Sequence, residues 1–144
     1  ISEPAGVEVF KLAAALGVPV LAHAAPCECE AIAEAVPEAK IIMAHMGAGI
    51  PGKGDWNRGI MAAERFPNIY LDITGSPIQA GSLEEAVERV GADRVIFGTD
   101  FPLLEPRVQM AKVLDADISE GDRQLILGGN IIRVAGLPLG GGES

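Results

Sequence analysis

The chain has 144 residues, of which 49% are apolar and 22% charged. This apolar content is enough for one globular core and excludes a disordered protein. The formal net charge of -9, with no basic cluster to offset it, argues against a nucleic-acid partner. The longest apolar stretch near the N-terminus is too short to cross a bilayer, so we expect no membrane segment and predict an acidic enzyme or binding domain.

Helices and strands are predicted to alternate along the chain. A first helix carries Val9, Leu12 and Leu16 on one face and ends at Gly17. Four nearly continuous apolar runs follow, and such runs are typical of strands buried on both faces of a parallel sheet. The predicted strands cover residues 18–22, 40–44, 68–73 and 94–98.

Helical patterns fill the gaps between these strands, and three more follow the last strand. Trp56, Ile60 and Ala63, for example, recur with the spacing of one helix face. The predicted helices cover about 29–36, 56–63, 83–90, 105–114, 119–127 and 130–135. Residues 139–144 are predicted to form a flexible glycine-rich tail.

Capping signals mark where several helices begin, and Asp55 is predicted to cap the helix that starts at residue 56. The spacing Ser82-x-x-Glu85 predicts a capping box, and Ser119 followed by Asp122 has the same register. Asn130 is predicted to cap the last helix.

The predicted order is one helix followed by four βα units, with no linker to divide residues 1–138 into two domains. The strand spacing is typical of right-handed βαβ connections. Four such strands could form a small doubly wound sheet or half of an eight-stranded barrel. Both folds place their chemistry at the carboxyl ends of the strands.

Polar side chains follow all four predicted strands. His23 follows the first strand and His45 the second, Asp72 and Thr74 close the third, and Asp100 follows the fourth. These are the only two histidines of the chain. Because neutral imidazole and carboxylate groups are the ligands of catalytic divalent ions, the pattern predicts a metal site at this end of the sheet.

Five segments carry a resemblance to a known family. They read VPVLAHAAP, AKIIMAHMGAG, NIYLDITGS, RVIFGTDFP and GGNIIRVAGL, in this order. The chain resembles the C-terminal half of the amidohydrolase superfamily, in the amidohydrolase 2 group that includes aminocarboxymuconate-semialdehyde decarboxylase. The resemblance implies an α/β fold of parallel (β/α) units that forms the second half, strands five to eight, of a TIM-type (β/α)₈ barrel.

The resemblance also implies roles for the residues at the strand ends. His23 would ligate a divalent metal, zinc or alternatively manganese. Asp100 would act as a metal ligand and as a general acid or base, and His45 would polarise the substrate or transfer protons. Asp72 and Thr74 are placed to contact the substrate.

The implied activity is metal-dependent hydrolysis, or non-oxidative decarboxylation, of a small carboxylic-acid, lactone or amide substrate. In such sites the metal lowers the pKa of its bound water. Trp56 is a further candidate for substrate contact, although its helical spacing also favours packing.

The family pattern is only partly present. A His-x-His or Glu-x-His pair on the family's first strand completes the metal site, and this chain has neither that pair nor the first four strands. A barrel typically needs about 250 residues. We therefore expect a homo-oligomer or a partner that completes the barrel, and a catalytically silent half-barrel or partner subunit stays open as an alternative.

The stretch HMGAGIPGKGD, residues 45–55, keeps a nucleotide-binding domain open as a less favoured enzyme class. Its G-x-G-x-x-G pattern over residues 47–52 matches a dinucleotide fingerprint. However, Gly54 replaces the hydroxyl that a phosphate loop needs, and Asp55 would repel phosphate at the next helix start. We expect these glycines instead to let His45 project over the barrel mouth.

The two cysteines of the chain indicate the redox state of the cellular compartment in which it is found. Cys27 and Cys29 are one residue apart, a spacing too short for an easy unstrained disulfide. Two reduced thiols suit a reducing compartment, so the sequence predicts a cytoplasmic protein.

Overall fold

The computed structural model describes residues 1–48, 55–75 and 80–138. Within them, one sheet has the strand order β1-β2-β3-β4, and each strand pairs in parallel with the next. The predicted parallel α/β fold is confirmed, and each strand is two or three residues shorter than predicted. The strands are β1 (Val20–Ala22), β2 (Ile41–Met43), β3 (Ile69–Asp72) and β4 (Val95–Ile96).

The α-helices of the described residues lie before, between and after these strands. They are α1 (Pro4–Ala15), α2 (Pro26–Ala35), α3 (Trp56–Arg65), α4 (Ser82–Val90), α5 (Pro106–Leu114), α6 (Glu120–Gln124) and α7 (Asn130–Ala135). None of the described helices is both long enough and apolar enough to cross a membrane.

The main core lies between one face of the sheet and helices α2, α3 and α4. Ile41, Ile69 and Val95 point to this face from three neighbouring strands and are fully buried. Ile32 of α2 and Ile60 of α3 pack in the same cluster. Each such side chain contributes about 1.5–3 kcal/mol when its apolar surface leaves water, so this layer holds the strands in place.

The opposite face of the sheet is covered only in part. Ile42 and Ile96 form a separate small cluster with Val134 of α7, and Tyr70 and Ile131 pack against it. Leu21, which lies in register with Ile42 on the edge strand β1, is 64% exposed. This face is therefore a groove that opens beyond α7, as expected for an incomplete barrel interior.

Helix α1 is present, but its apolar stripe faces outward. Val9, Leu12 and Leu16 are 57%, 62% and 67% exposed, whereas Phe10 and Ala13 are buried. The i, i+3, i+7 spacing thus identifies a helix but not the face that packs on this chain's own core. An exposed apolar stripe of this kind is typical of a surface that another segment or chain covers.

Of the four predicted caps, those at Asp55 and Ser119 are correct and those at Ser82 and Asn130 are wrong. Asp55 accepts a hydrogen bond from the backbone N–H of Arg58 at 2.8 Å, and Ser119 accepts one from that of Asp122 at 3.1 Å. The predicted capping box at Ser82 is displaced, because Gly81 is the N-cap residue of α4. Gly81 has a positive φ of 87°, a conformation that glycine adopts without a steric penalty.

Asn130 does not cap a separate helix. Helix α6 continues through a π-helical turn (Leu125–Gly129) into α7, so Asn130 lies inside a continuous helical run. Its fully buried amide donates to the carbonyls of Ala92 and Val95, each at 2.7 Å. Asn130 therefore ties the C-terminal helices to the start of β4.

Two predicted features fall outside the described residues. They are most of the glycine loop, residues 49–54, and the glycine-rich tail, residues 139–144. The prediction that residues 1–138 form one domain stays a prediction.

The two cysteines differ sharply in their surroundings. Cys27 is exposed, whereas Cys29 is fully buried in the core, and this burial raises the pKa of the Cys29 thiol to about 12. Because the thiolate is the reactive form, we expect iodoacetamide at pH 8 to alkylate Cys27 alone in the folded protein and both cysteines in denaturant. Peptide mapping by mass spectrometry checks this, and alkylated Cys29 in the folded protein would contradict it.

Candidate active site

The two histidines meet at the carboxyl ends of neighbouring strands. His23 directly follows β1, and His45 lies in a tight turn (Ala44–Gly47) that directly follows β2. Their ring centroids are 4.9 Å apart, with an interplanar angle of 83°. The parallel sheet thus brings together two side chains that are 22 residues apart in the sequence.

The backbone at His45 adopts an unusual conformation. His45 and Met46 have φ values of 56° and 51°, in the left-handed region that costs non-glycine residues about 1–2 kcal/mol each. Gly59 of α3 lies against this turn, and a Cβ at that position would overlap the Met46 carbonyl. The left-handed turn aims His45 away from the strand direction, so packing by α3 maintains a strained geometry.

Gly47, the first glycine of the dinucleotide pattern, packs against protein atoms. A Cβ at Gly47 would lie 2.6 Å from Pro26 Cγ and 2.8 Å from Met43 Sδ. Its φ of 81° is also in the left-handed region. This glycine is therefore required by packing and backbone conformation without any phosphate.

The imidazole of His45 is oriented by a backbone carbonyl. His45 Nδ1 lies 3.1 Å from the carbonyl oxygen of Thr74, in the segment that follows β3. A carbonyl oxygen can only accept, so Nδ1 carries the proton and donates it. In the neutral ring, Nε2 then has a free lone pair for a metal ion or a substrate proton.

Asp72 lies beneath this arrangement and is 5% exposed. Its Oδ1 accepts from the backbone N–H of Thr74 at 2.9 Å and from the Thr74 hydroxyl. Burial raises the pKa of Asp72, while the hydrogen bonds from Thr74 and the nearby His45 oppose the shift. The carboxylate therefore fixes Thr74, whose carbonyl lies against Nδ1 of His45.

Gly98, which follows β4, allows this close packing. A Cβ at Gly98 would overlap the Thr74 hydroxyl and lie 2.6 Å from Asp72 Oδ1. Two residues further on, Asp100 is half-buried with a φ of 58°. The chain therefore turns sharply after β4, as it does after β2.

Five of the predicted site residues line one groove on the partly covered face of the sheet. They are His23, His45, Asp72, Thr74 and Asp100, together with apolar residues that include Leu21, Ile42 and Ile96. Trp56 does not line this groove. It is half-buried against the core and lines an adjoining cavity on the other side of the His45 turn, which shares His45 and Thr74 with the groove.

The donor set fits a divalent metal in its chemistry but is incomplete in this chain. Two imidazoles in contact and a carboxylate in the same groove are suitable ligands for such an ion. Over residues 1–48, 55–75 and 80–138, however, no three His, Cys, Asp or Glu side chains lie close enough together to hold a metal. Asp100 therefore shares the groove with the histidines without forming a three-ligand cluster.

Sequence reasoning missed Lys112, which lies on α5 behind this site. Its Nζ donates to the carbonyl of Ile73 at 3.3 Å and to that of Gly75. Burial lowers the pKa of Lys112, and Asp72 opposes that shift. No local pattern signals this role, because both acceptors are backbone atoms more than 35 residues away.

A groove with histidines and carboxylates at the carboxyl ends of parallel (β/α) units is typical of enzymes built on barrels of this kind. The model of one family, described as Amidohydrolase, matches residues 2–137. The chain therefore belongs to the amidohydrolase family, as the sequence motifs predict.

Individual relatives agree with this assignment. A curated relative, the gamma-resorcylate decarboxylase of Polaromonas sp. JS666, is 30% identical and matches 81% of this chain and 40% of its own length. The crystal structure of a dihydroxybenzoic acid decarboxylase from Polaromonas sp. JS666, with bound manganese and the inhibitor 2-nitroresorcinol, has a TM-score of 0.73 and 20% identity. That match covers 94% of this chain and 55% of the decarboxylase.

A TIM-barrel protein from Bordetella bronchiseptica is also similar in structure, with a TM-score of 0.76 and 20% identity. The match covers 92% of this chain and 50% of that protein. The chain thus spans about half the length of these proteins. Its four parallel βα units match part of a barrel fold.

Proposed function

We propose that the chain forms strands five to eight of a TIM-type (β/α)₈ barrel in a metal-dependent hydrolase or decarboxylase. The observation that carries this proposal is the contact between His23 and His45, with Nε2 of His45 left free, in a groove that Asp100 also lines. The similarity to a relative named gamma-resorcylate decarboxylase supports decarboxylation over hydrolysis. The substrate class is a small carboxylic acid, with lactones and amides as the hydrolytic counterparts.

The residues of the groove would divide the chemistry among them. A bound manganese or zinc ion would polarise the substrate's carboxylate or carbonyl group. His23 and Asp100 would serve as metal ligands, and Asp100 would also move a proton to or from the reacting atom. Nε2 of His45 would accept a hydrogen bond or a proton at the same position.

Substrate contact is proposed for residues on both sides of the His45 turn. Thr74 and Asp72 line the groove, and Trp56 lines the adjoining cavity. The carboxylate of Asp72 already accepts two hydrogen bonds from Thr74. Thr74 and Trp56 are therefore better placed than Asp72 to contact the substrate directly.

A complete site would need a second polypeptide segment. Leu21 on the edge strand β1 is exposed in the groove, and the outward stripe of α1 lies on the outer layer. We propose a homo-oligomer, or a partner that completes the barrel, as the cover for these surfaces. We also propose that the substrate is a small molecule, that the protein has no nucleic-acid or membrane partner, and that it is cytoplasmic.

Three measurements on one sample test the proposal: the molecular mass of the assembly, its metal content and its turnover of substrate. We expect the purified chain to be larger than a monomer, or to bind a complementing half. We also expect this assembly to retain close to one equivalent of manganese or zinc after dialysis and to release carbon dioxide from γ-resorcylate or a related hydroxybenzoate. The His23→Ala variant should lose the metal. A folded assembly that retains less than about a tenth of an equivalent and shows no turnover would overturn the proposal.

A second candidate function is a catalytically silent half-barrel that acts as a partner subunit. The absence of a three-ligand cluster among the described residues favours it. In that case the chain would assemble with a partner yet retain no metal on its own histidines. The same sample separates the two functions, since only the enzyme loses metal on His23→Ala.

A further inference from the structure

We propose that Lys112 and Asp72 are positioning residues that hold His45 with Nδ1 protonated and Nε2 facing the groove. The role of His45 in catalysis rests on the proposed function, but the orientation of its imidazole ring does not depend on that function. Neither residue is needed to touch the substrate in this role. Both act through the three-residue segment 73–75.

The first contact fixes Thr74, whose carbonyl lies against Nδ1 of His45. The carboxylate of Asp72 accepts the backbone N–H of Thr74 at 2.9 Å and also the Thr74 hydroxyl. Because His45 has a left-handed backbone, contacts from outside its own turn help to hold its ring in place. Asp72 thus fixes the segment that supplies the carbonyl partner of His45.

The second contact fixes that carbonyl partner. The ammonium group of Lys112 donates to the carbonyls of Ile73 and Gly75, on either side of Thr74. The intervening carbonyl, that of Thr74, accepts the Nδ1 proton of His45. Lys112 therefore holds the residues on both sides of the Thr74 carbonyl, and the tautomer of His45 depends on that carbonyl.

The segment leaves the ring little room for another orientation. A Cβ at Gly75 would lie 2.8 Å from Nδ1 of His45, so the backbone of Gly75 packs directly against the ring. Lys112 is half-buried beside this segment, and Asp72 is the charged group that favours its protonated form. Asp72 and Lys112 therefore both hold this segment through hydrogen bonds, Asp72 at Thr74 and Lys112 at the carbonyls of Ile73 and Gly75.

The experiment reads the tautomer of His45 directly. Long-range proton–nitrogen NMR spectra of the uniformly ¹⁵N-labelled chain distinguish the two tautomers of each imidazole, and a His23→Gln variant assigns the signals of the two histidines. In the unaltered chain we expect His45 as the Nδ1–H tautomer. In Lys112→Met we expect a mixture with the Nε2–H tautomer, whereas Lys112→Arg, which keeps a charged donor, should retain the original form.

Lys11→Met is the matched control, because Lys11 is an exposed lysine on α1 paired only with Glu8 in the described contacts. It should leave both imidazole signals unchanged. An unchanged His45 signal in folded Lys112→Met would overturn the proposal. So would an Nε2–H tautomer in the unaltered chain, a measurement that stands even if Lys112→Met does not fold. Because no activity is measured, failure of the proposed enzyme function would not alter this result.

Discussion

Replacing Asp100 with Asn is expected to lower kcat of the assembled enzyme by about 10²–10⁴-fold, the usual contribution of a general acid or base. Asparagine keeps the size of the side chain but cannot exchange a proton at neutral pH, and it is a weaker metal ligand. The fold should survive, because asparagine tolerates the left-handed backbone that Asp100 adopts. Steady-state kinetics with a thermal unfolding curve checks both parts.

The control for this variant is Asp117→Asn, which removes the same charge at an exposed position outside the groove. Its kcat should stay within about twofold of the unaltered enzyme, since exposed substitutions away from a site have small effects. Full activity in Asp100→Asn would remove Asp100 from the proposed chemistry. Equal losses in both variants would indicate a general charge effect.

The largest effect on stability is expected at Gly59. A Cβ there would overlap the carbonyl of Met46, so Gly59→Ala forces α3 away from the turn that carries His45. Overpacking of this kind costs about 1–3 kcal/mol or more, which exceeds the gain of about 1 kcal/mol that alanine brings to a helix interior. We therefore expect a lower free energy of unfolding, measured by urea denaturation, and a displaced His45.

Gly121→Ala is the matched control, because Gly121 is also helical and its added Cβ would have only Ser119 Oγ nearby, at 3.7 Å. This variant should be neutral or more stable by up to about 1 kcal/mol. The diagnostic result is a free energy of unfolding that falls in Gly59→Ala but stays equal or rises in Gly121→Ala. A Gly59→Ala protein as stable as Gly121→Ala would show that α3 does not support the His45 turn.

The groove could be predicted from the sequence because its signals are local. A buried parallel strand is a continuous apolar run, and the residue that follows each run must lie at the carboxyl edge of the sheet. This is why the sequence alone predicts that His23 and His45 lie at the same edge of the sheet. Trp56, by contrast, begins a helix, and its direction relative to the groove depends on the turn that precedes it.

The errors have a common physical origin in long-range contacts. The stripe of Val9, Leu12 and Leu16 has the spacing of a helix face, but spacing alone does not say whether this chain or another covers it. Asn130 has the residue type of a cap, yet its amide reaches two carbonyls around β4. Lys112 likewise acts on backbone atoms that no sequence pattern marks.

In the proposed barrel, the alternation along β4 would constrain how a second pair of metal ligands reaches this site. Val95 packs toward the helices, whereas Ile96 faces the groove. A strand that docked beside β4 would follow the same pleat, so only every second residue of it could face Asp100. Two histidines separated by a single residue would both enter the groove, and adjacent histidines would send one into the helical layer. In that assembly, the pleat of β4 would set the spacing of the ligands on the docked strand.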